Sequence, residues 1–350
     1  MPFDATLTTP ALTRDARRVA TWLLTVCGMI WVMVALGGAT RLTGSGLSIM
    51  EWAPIMGTLP PLSDAEWNRL YDLYRTIPQY KLVNAGFGIE GFKEIFWLEW
   101  AHRFWGRMIG LAFLVPLLVF AWQGAIPRRL MPRMALLFVL GGMQGAVGWF
   151  MVASGFAAES TAVSPYRLVV HLMLALILYG AILWTALGLL RPVPLEAPPM
   201  ARQLAHLTAT LAGLAILAGG FVAGNKAGLT YNSFPLMDGR LFPEGYGLLE
   251  PAWRNLTESI PAVQFNHRLL ATLTALSALA ALWAGWASRA RPVLLGLAGS
   301  VALQYGLGIA TLLYVVPVGL GTAHQAVAVL VLTTALMSLH ALRRPNRVTP

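Results

Sequence analysis

Four histidines are the residues of this chain whose type and position best suit chemistry. They fall near one end of the second, fourth, sixth and eighth apolar helices that the 350-residue sequence predicts, and they are His102, His171, His267 and His324. A single histidine inside a membrane is usually explained by a hydrogen bond between helices, but four at one depth need another explanation. Two imidazoles on facing helices of a four-helix unit can hold a heme iron between them. The pattern therefore predicts two hemes, and it disfavours copper or zinc because no Cys, Asp or third His accompanies either pair.

A single acidic residue, Glu99, distinguishes the two pairs of histidines. It precedes His102 by one helical turn on the same face, so its carboxylate is expected beside whatever His102 binds. The residue three before His267 is Gln264, so the second pair keeps the histidine and loses the acid. We predict that one half of the chain does proton chemistry through Glu99 and that the other only binds its heme. The alternative is an i,i+4 ion pair between Glu99 and Arg103, which offers no reason for the halves to differ.

Two arginines, Arg103 and Arg268, each follow one of these histidines directly. A heme whose propionates point outward would place a carboxylate within reach of either guanidinium. The alternative is that both arginines extend to lipid headgroups at the membrane surface.

Composition and charge-free stretches show what must position these residues. The chain is 57% hydrophobic and 11% charged, which is typical of a polytopic membrane protein. Because a membrane helix needs about 20 apolar residues, we expect one span in each of six stretches and two in a seventh. These are Val19–Thr40, Met108–Pro127, Met134–Ala158, Leu168–Leu190, Gln203–Asn225 and Leu269–Ser288, and then Pro292–Leu342 with a break at Pro317-Val-Gly-Leu-Gly321. The first is too long for a signal peptide and is interpreted as a retained helix.

The distribution of charge sets the orientation of these eight helices. The termini and the short connections of one side hold 13 arginines against three acidic residues, whereas the other side holds 12 basic and 12 acidic residues. Because basic residues collect in the cytoplasm, both termini are predicted to be cytoplasmic and the histidines to lie towards the periplasmic side. Orientation thus accounts for the whole net charge of +10, and no nucleic-acid partner is implied. The one cysteine, Cys27, excludes an internal disulfide.

An internal repeat divides the chain into two units. Gly37-Gly38 with Leu47 recurs as Gly219-Gly220 with Leu229, and Gln144-x-x-x-Gly148 recurs as Gln304-x-x-x-Gly308. We therefore predict an all-α integral membrane protein with eight transmembrane helices as two pseudosymmetric four-helix bundles. The predicted regions are a cytoplasmic tail (1–18), an N-terminal bundle (19–190) with a long outer loop (41–99), a linker (191–202), a C-terminal bundle (203–342) with an outer loop (226–261), and a second tail (343–350).

Within the first outer loop, Ser63-Asp-Ala-Glu66 is a capping box. Apolar residues follow it at helical spacing, namely Trp67, Leu70, Tyr71 and Tyr74. This pattern predicts a helix lying on the outer membrane surface.

Over nearly its whole length the chain resembles the heme A synthases, membrane enzymes that convert heme O to heme A for cytochrome oxidases. The motifs that carry the resemblance are Gly37-Gly-Ala-Thr-Arg-Leu-Thr-Gly-Ser-Gly-Leu-Ser48 with Trp52-Ala-Pro54 and Gly57-Thr-Leu-Pro-Pro61, then Glu99-Trp-Ala-His-Arg-Phe-Trp-Gly106, Gln264-Phe-Asn-His-Arg268 and Gly321-Thr-Ala-His-Gln325. One branch of that family carries a cysteine pair in the first outer loop. This chain has none there, so it resembles the proteobacterial and mitochondrial branch, and the absence of an Arg/Ser-rich transit peptide favours a bacterial inner membrane.

The resemblance also implies roles for the site residues. His102 and His171 would flank the substrate heme O in the N-terminal bundle, and His267 and His324 would ligate a heme b cofactor in the C-terminal bundle. Glu99 matches the family's catalytic acid, which would shuttle protons or stabilise a cationic intermediate. The implied oxidoreductase reaction takes a methyl group of heme O through two hydroxylations to a formyl group.

Two other functions compete with this interpretation. One is a di-heme b-type cytochrome that passes electrons across the membrane, although all four histidines lie towards one side. The other is a heme-handling transporter, which would not explain Glu99 in one half and Gln264 in the other. The expected partners are membrane lipid, the synthase that supplies heme O, an electron donor of unknown identity and cytochrome oxidase assembly factors. A homo-oligomer is compatible with the sequence, which does not decide the oligomeric state.

Overall fold

The structure is a computed structural model that describes residues 13–158, 160–190 and 193–344. Parts of the predicted tails (1–12 and 345–350) and of the predicted linker (191–192) lie outside the described residues. The described chain contains ten α-helices: α1 (Arg14–Leu42), α2 (Asp64–Tyr74), α3 (Pro78–Leu82), α4 (Ile89–Trp122), α5 (Met131–Ala153), α6 (Pro165–Leu190), α7 (Pro199–Gly224), α8 (Ile260–Ala284), α9 (Arg291–Leu313) and α10 (Val318–Ala341). All except α2 and α3 are long and apolar enough to cross a membrane, which confirms the predicted eight spans.

Local sequence explains where several of these helices begin. Thr13 caps α1, since its hydroxyl oxygen accepts a hydrogen bond from the Ala16 amide. Proline occupies the first turn of α5, α7, α8 and α9, where its missing N–H costs nothing. The last apolar stretch is broken as predicted, but the break lies at 314–317: α9 ends at Leu313, and α10 begins at Val318, directly after Pro317. Residues 318–321, which were predicted to belong to the break, form the first turn of α10.

Helices α4 and α8 begin earlier than the charge-free stretches predict. The second span was expected from Met108 and the sixth from Leu269, but α4 starts at Ile89 and α8 at Ile260. In the extension of α4, charged residues pair along the helix, as Lys93 does with Glu90 at 2.8 Å. In the extension of α8 the one charged residue, Arg268, donates to Gln264 one turn earlier at 2.9 Å. The connection between α1 and α4 is therefore 43–88 rather than 41–99, and His102 lies inside a helix rather than at its start.

The spanning helices contact one another in the order expected of two four-helix rings. In the N-terminal half α1, α4, α5 and α6 pack in sequence and α6 returns to α1; in the C-terminal half α7, α8, α9 and α10 do the same. The halves meet where α1 contacts α10, α6 contacts α7, and α6 contacts α10. This arrangement is consistent with the predicted pair of pseudosymmetric bundles. We call the end that carries the long connections 43–88 and 225–259 the loop side.

Polar contacts reinforce the packing between the two halves. The Trp31 indole N–H of α1 donates to the Ala326 carbonyl of α10 at 2.8 Å. One residue earlier on α10, the Gln325 amide donates to the Val34 carbonyl at 2.9 Å. Gln325 follows His324, so the helix that carries this histidine is held directly against the N-terminal half.

The helix predicted after the capping box is present as α2, and the Ser63 hydroxyl accepts from the Glu66 amide. Its apolar stripe faces protein, however, and not the membrane surface alone. Trp67 is buried with its ring 4.8 Å from that of Phe96, and Tyr74 lies against Phe92 at 5.4 Å. The early start of α4 provides this aromatic surface.

Candidate functional site

Each of the four histidines lies against a glycine of a neighbouring helix. A Cβ atom placed on any of these glycines would fall 2.9 to 3.1 Å from an atom of the imidazole ring, closer than side chains tolerate. The pairs are His102 with Gly37 of α1, His171 with Gly148 of α5, His267 with Gly219 of α7, and His324 with Gly308 of α9. All four glycines belong to the repeat, so the same ring-on-glycine contact occurs twice in each half.

Hydrogen bonds orient several of these rings. In His267, Nδ1 donates to the Ala215 carbonyl at 2.9 Å, which leaves Nε2 as the nitrogen able to bind a metal. His171 Nδ1 lies 3.2 Å from the Gln144 amide nitrogen. The equivalent Gln304 lies 3.4 Å from His324 Nε2, and His324 Nδ1 is buried without a hydrogen-bond partner. Buried imidazole nitrogens that the protein leaves unsatisfied are typical of ligand positions.

The histidine pair of the C-terminal half has a spacing that fits a metal held on both faces. The ring centres of His267 and His324 are 6.4 Å apart, and the ring planes are perpendicular. Since metal–imidazole bonds are about 2 Å long, an iron between two imidazoles places their ring centres roughly 6 Å apart. Within residues 13–158, 160–190 and 193–344, no three His, Cys, Asp or Glu side chains gather into a metal site. The donor set is therefore two neutral nitrogens, which fits heme iron better than zinc or copper.

Glu99 anchors the chain that follows α1. The carboxylate is 2% exposed and accepts four hydrogen bonds. Oε2 accepts from the Ser48 hydroxyl at 2.7 Å and the Ile49 amide at 2.8 Å. Oε1 accepts from Arg103 Nε at 3.0 Å and Nη2 at 2.5 Å. The Arg103 guanidinium also donates to the Ile49 and Glu51 carbonyls, so the pair clamps residues 48–51 to α4.

Gln264 and Arg268 form the equivalent clamp in the C-terminal half. Gln264 is also 2% exposed, and its amide nitrogen donates to the Ala227 and Thr230 carbonyls at 2.8 and 2.6 Å. Its oxygen accepts from Arg268 at 2.9 Å, while Arg268 donates to the Tyr231 and Ser233 carbonyls. The geometry of the two clamps matches, but only the N-terminal one holds a negative charge.

These contacts bear on both interpretations of Glu99 and the arginines. The i,i+4 ion pair between Glu99 and Arg103 exists, and it lies one turn from His102. Clamping the loop does not require this ion pair, because the neutral Gln264 clamps the equivalent loop without a negative charge. The ion pair therefore does not exclude a further role for the Glu99 carboxylate. Both arginines donate to loop carbonyls, Arg103 with two of its four hydrogen bonds and Arg268 with three of its four. Neither the propionate nor the lipid interpretation anticipated this use. The propionate role of Arg103 and Arg268 stays a prediction.

Sequence reasoning missed two kinds of site residue. The glycines that contact the histidines were recognised as repeat markers only, although their recurrence in step with the histidines was a usable signal. Ser48 and Ile49, which hold the Glu99 carboxylate, lie some fifty positions from it in sequence, and nothing local marked them.

Similarity to known proteins covers almost the whole chain. Residues 20–336 match the family model COX15-CtaA, described as Cytochrome oxidase assembly protein. A protein of Granulibacter bethesdensis named Heme A synthase is 62% identical over 338 residues, which are 95% of this chain and 90% of the relative. Relatives with the same name in Rhodospirillum centenum and Bradyrhizobium diazoefficiens are each 48% identical, over 94% and 93% of this chain and 90% and 92% of their own lengths.

Proposed function

The chain belongs to the Cytochrome oxidase assembly protein family, and from that membership we propose that it is a heme A synthase, which oxidises a methyl group of heme O to a formyl group. Relatives that share up to 62% of its residues carry that name, which favours this function over an electron-transfer cytochrome or a transporter. The observation that carries the proposal is the difference between two matching clamps. Glu99 places a buried carboxylate beside one histidine pair, and Gln264 places a neutral amide beside the other.

In this proposal the C-terminal half, 203–342, is the cofactor half. His267 and His324 would hold heme b, and the spacing of their rings supports this assignment. A heme so bound supplies one-electron redox chemistry. The Ala215 carbonyl fixes the His267 ring with Nε2 directed at the site, and Gly219 lets the ring approach α7 closely. These contacts pre-organise the ligands, so little reorganisation accompanies a change of charge.

The N-terminal half, 19–190, is the substrate half of the proposal. His102 and His171 would flank heme O, and Gly37 and Gly148 make room for their rings. Four hydrogen bonds hold the Glu99 carboxylate in one position, one helical turn from His102. In this proposal the carboxylate would shuttle protons or stabilise positive charge that develops at the substrate, which are the two roles that the resemblance implies.

We further propose a multi-pass location in a bacterial inner membrane, with both termini cytoplasmic and the histidines towards the periplasm. The arginine-rich short connections opposite the loop side support this orientation. The loop side then faces the periplasm, where 43–88 and 225–259 would be accessible to assembly factors of cytochrome oxidase. Heme O would come from an enzyme that makes it in the same membrane, because so apolar a substrate stays in the lipid phase.

The proposal is tested by extracting and weighing the hemes of membranes that contain this chain and a supply of heme O. Wild type should yield heme A, and Glu99→Gln should yield heme O with the heme b spectrum intact. Glu90→Gln is the matched control, since Glu90 lies on the same helix, pairs with Lys93 and is exposed. Wild-type membranes that contain only heme O and heme b would contradict the proposed function.

A further inference from the structure

Arg41 is a partly buried arginine that the proposed mechanism does not use. It lies in the last turn of α1, one turn beyond Gly37 on the same face, and Gly37 contacts His102. Its Nη1 donates to the Ala223 carbonyl near the end of α7 at 2.9 Å, so the side chain reaches from the N-terminal to the C-terminal half. Its Nε is buried and has no hydrogen-bond partner. The repeat places Ala223 at the position equivalent to Arg41, so the second half has no counterpart of this charge.

A buried guanidinium normally has a carboxylate or another anion beside it, because removing its charge from water is costly. Arg103 has the Glu99 carboxylate, and the more exposed Arg254 and Arg69 have Glu258 and Glu51. Among the described residues Arg107 and Arg268 also have no ion-pair partner, but each donates to at least two loop carbonyls, whereas Arg41 donates to one carbonyl only. In the parts of the chain that the structure describes, no carboxylate lies within ion-pair distance of Arg41. The Ala223 carbonyl, at the negative end of the α7 dipole, gives partial compensation but occupies one N–H of five.

We propose that Arg41 binds a propionate carboxylate of the heme substrate in the N-terminal half. This inference rests on the proposed function. The planar fork of a guanidinium matches the two oxygens of a carboxylate, and an unsatisfied Nε–H beside Nη donors supplies that fork. Arg41 lies one turn nearer the loop side than Gly37, which contacts the His102 ring. The Nη groups of Arg103 and Arg268 are already bonded to loop carbonyls and to Glu99 or Gln264. A lipid phosphate offers similar anionic oxygens, and the test must separate the two sources.

The test compares two probes that differ only in the carboxylates. Protein carrying its C-terminal heme, purified from cells without heme O, is titrated with iron protoporphyrin IX and with its dimethyl ester. Arg41→Gln should weaken binding of the acid roughly tenfold to 100-fold, as expected for loss of a charge-assisted pair, and should change binding of the ester less than about threefold. Arg41→Lys should give an intermediate loss. Arg254→Gln is the matched control, since Arg254 has its own carboxylate and should not discriminate between the probes.

Four results would overturn the inference. If Arg41→Gln weakens binding of the acid and of the ester equally, Arg41 acts as a cap of α7 that holds the two halves together. If it weakens binding of neither probe, Arg41 is not part of the substrate site. A discrimination that appears only when anionic phosphatidylglycerol is added would assign Arg41 to lipid phosphate. Glu159 lies outside the described residues, so both substitutions are also combined. If Arg41→Gln weakens binding of the acid in the wild type but not in Glu159→Gln, the loss comes from a carboxylate left unpaired, and Arg41 is not the partner of the propionate. A wild type that takes up no second heme would instead contradict the proposed function itself.

Discussion

Substituting Gly219 by alanine tests whether the contact between glycine and imidazole positions His267, which we propose as a heme ligand. The new methyl carbon would lie 3.0 Å from His267 Cε1, whereas carbon atoms in contact are normally about 3.5–4.0 Å apart. The ring must therefore move by roughly 0.5–1 Å. It cannot simply rotate away, because Nδ1 is bonded to the Ala215 carbonyl at 2.9 Å.

The size of the effect follows from what a metal bond tolerates. Distances between a metal and its ligands vary by about 0.2 Å in a competent site. A movement of the His267 ring by roughly 0.5–1 Å would therefore break or strain its bond to the iron. Crowding a packed site by one methyl costs about 1–3 kcal/mol, or roughly fivefold to 100-fold in heme affinity. The helix itself should not suffer, since alanine favours a helix over glycine by up to about 1 kcal/mol. Gly219→Ala should therefore lose heme without losing the fold.

The assay is heme content per protein after purification, with the absorption spectrum of the C-terminal heme as the second readout. Gly213→Ala on the same helix is the matched control, because a Cβ there meets nothing within 4 Å. Gly213→Ala should keep full heme occupancy and a bis-imidazole spectrum. If Gly219→Ala does the same, the contact does not position His267, and the account of the four glycines is wrong.

Two further predictions concern carboxylates on the loop side. Glu99→Gln leaves Arg103 without its charge partner and turns an amide towards the Ile49 N–H. The free energy of unfolding should therefore fall by about 2–4 kcal/mol. An unchanged midpoint of thermal unfolding would contradict the clamp. Arg69 donates to Glu51 and to Glu66 and holds the pKa of both carboxyls below their ordinary value of 4.5. Their contribution to loop stability is then complete above pH 4.5 and is lost as the pH falls below it. Proteolysis of 43–88 should therefore rise at about pH 3.5 relative to pH 7, and Arg69→Met should remove that difference.

The eight spans were predictable because hydrocarbon imposes a length and a composition on every helix that crosses it. The helix starts at Ile89 and Ile260 were not, because beyond the hydrocarbon a helix continues wherever charged side chains find partners, as Lys93 and Glu90 do. The stripe on α2 was read correctly as apolar but assigned to the membrane surface. The extension of α4 provides the protein surface that covers it, through Phe92 and Phe96.

The candidate site was predictable in its residues and not in its contacts. The repeat identified the histidines, and it also identified the exchange of Glu99 for Gln264. Each of these two residues clamps the loop that follows the preceding spanning helix. In the first half the chain must fold back over some fifty residues to make this contact, and no local sequence pattern encodes that. The position of Arg41 against α7 was not predictable, because this contact forms only when the two halves pack together.

The division of labour between the halves is the central claim, and heme composition after removal of one ligand from each half tests it most directly. His171→Ala and His324→Ala are purified from cells that supply heme O, and the bound hemes are identified by mass. The account predicts that His171→Ala keeps heme b and loses heme O and heme A, and that His324→Ala loses heme b. Loss of the same heme from both variants would contradict separate substrate and cofactor sites.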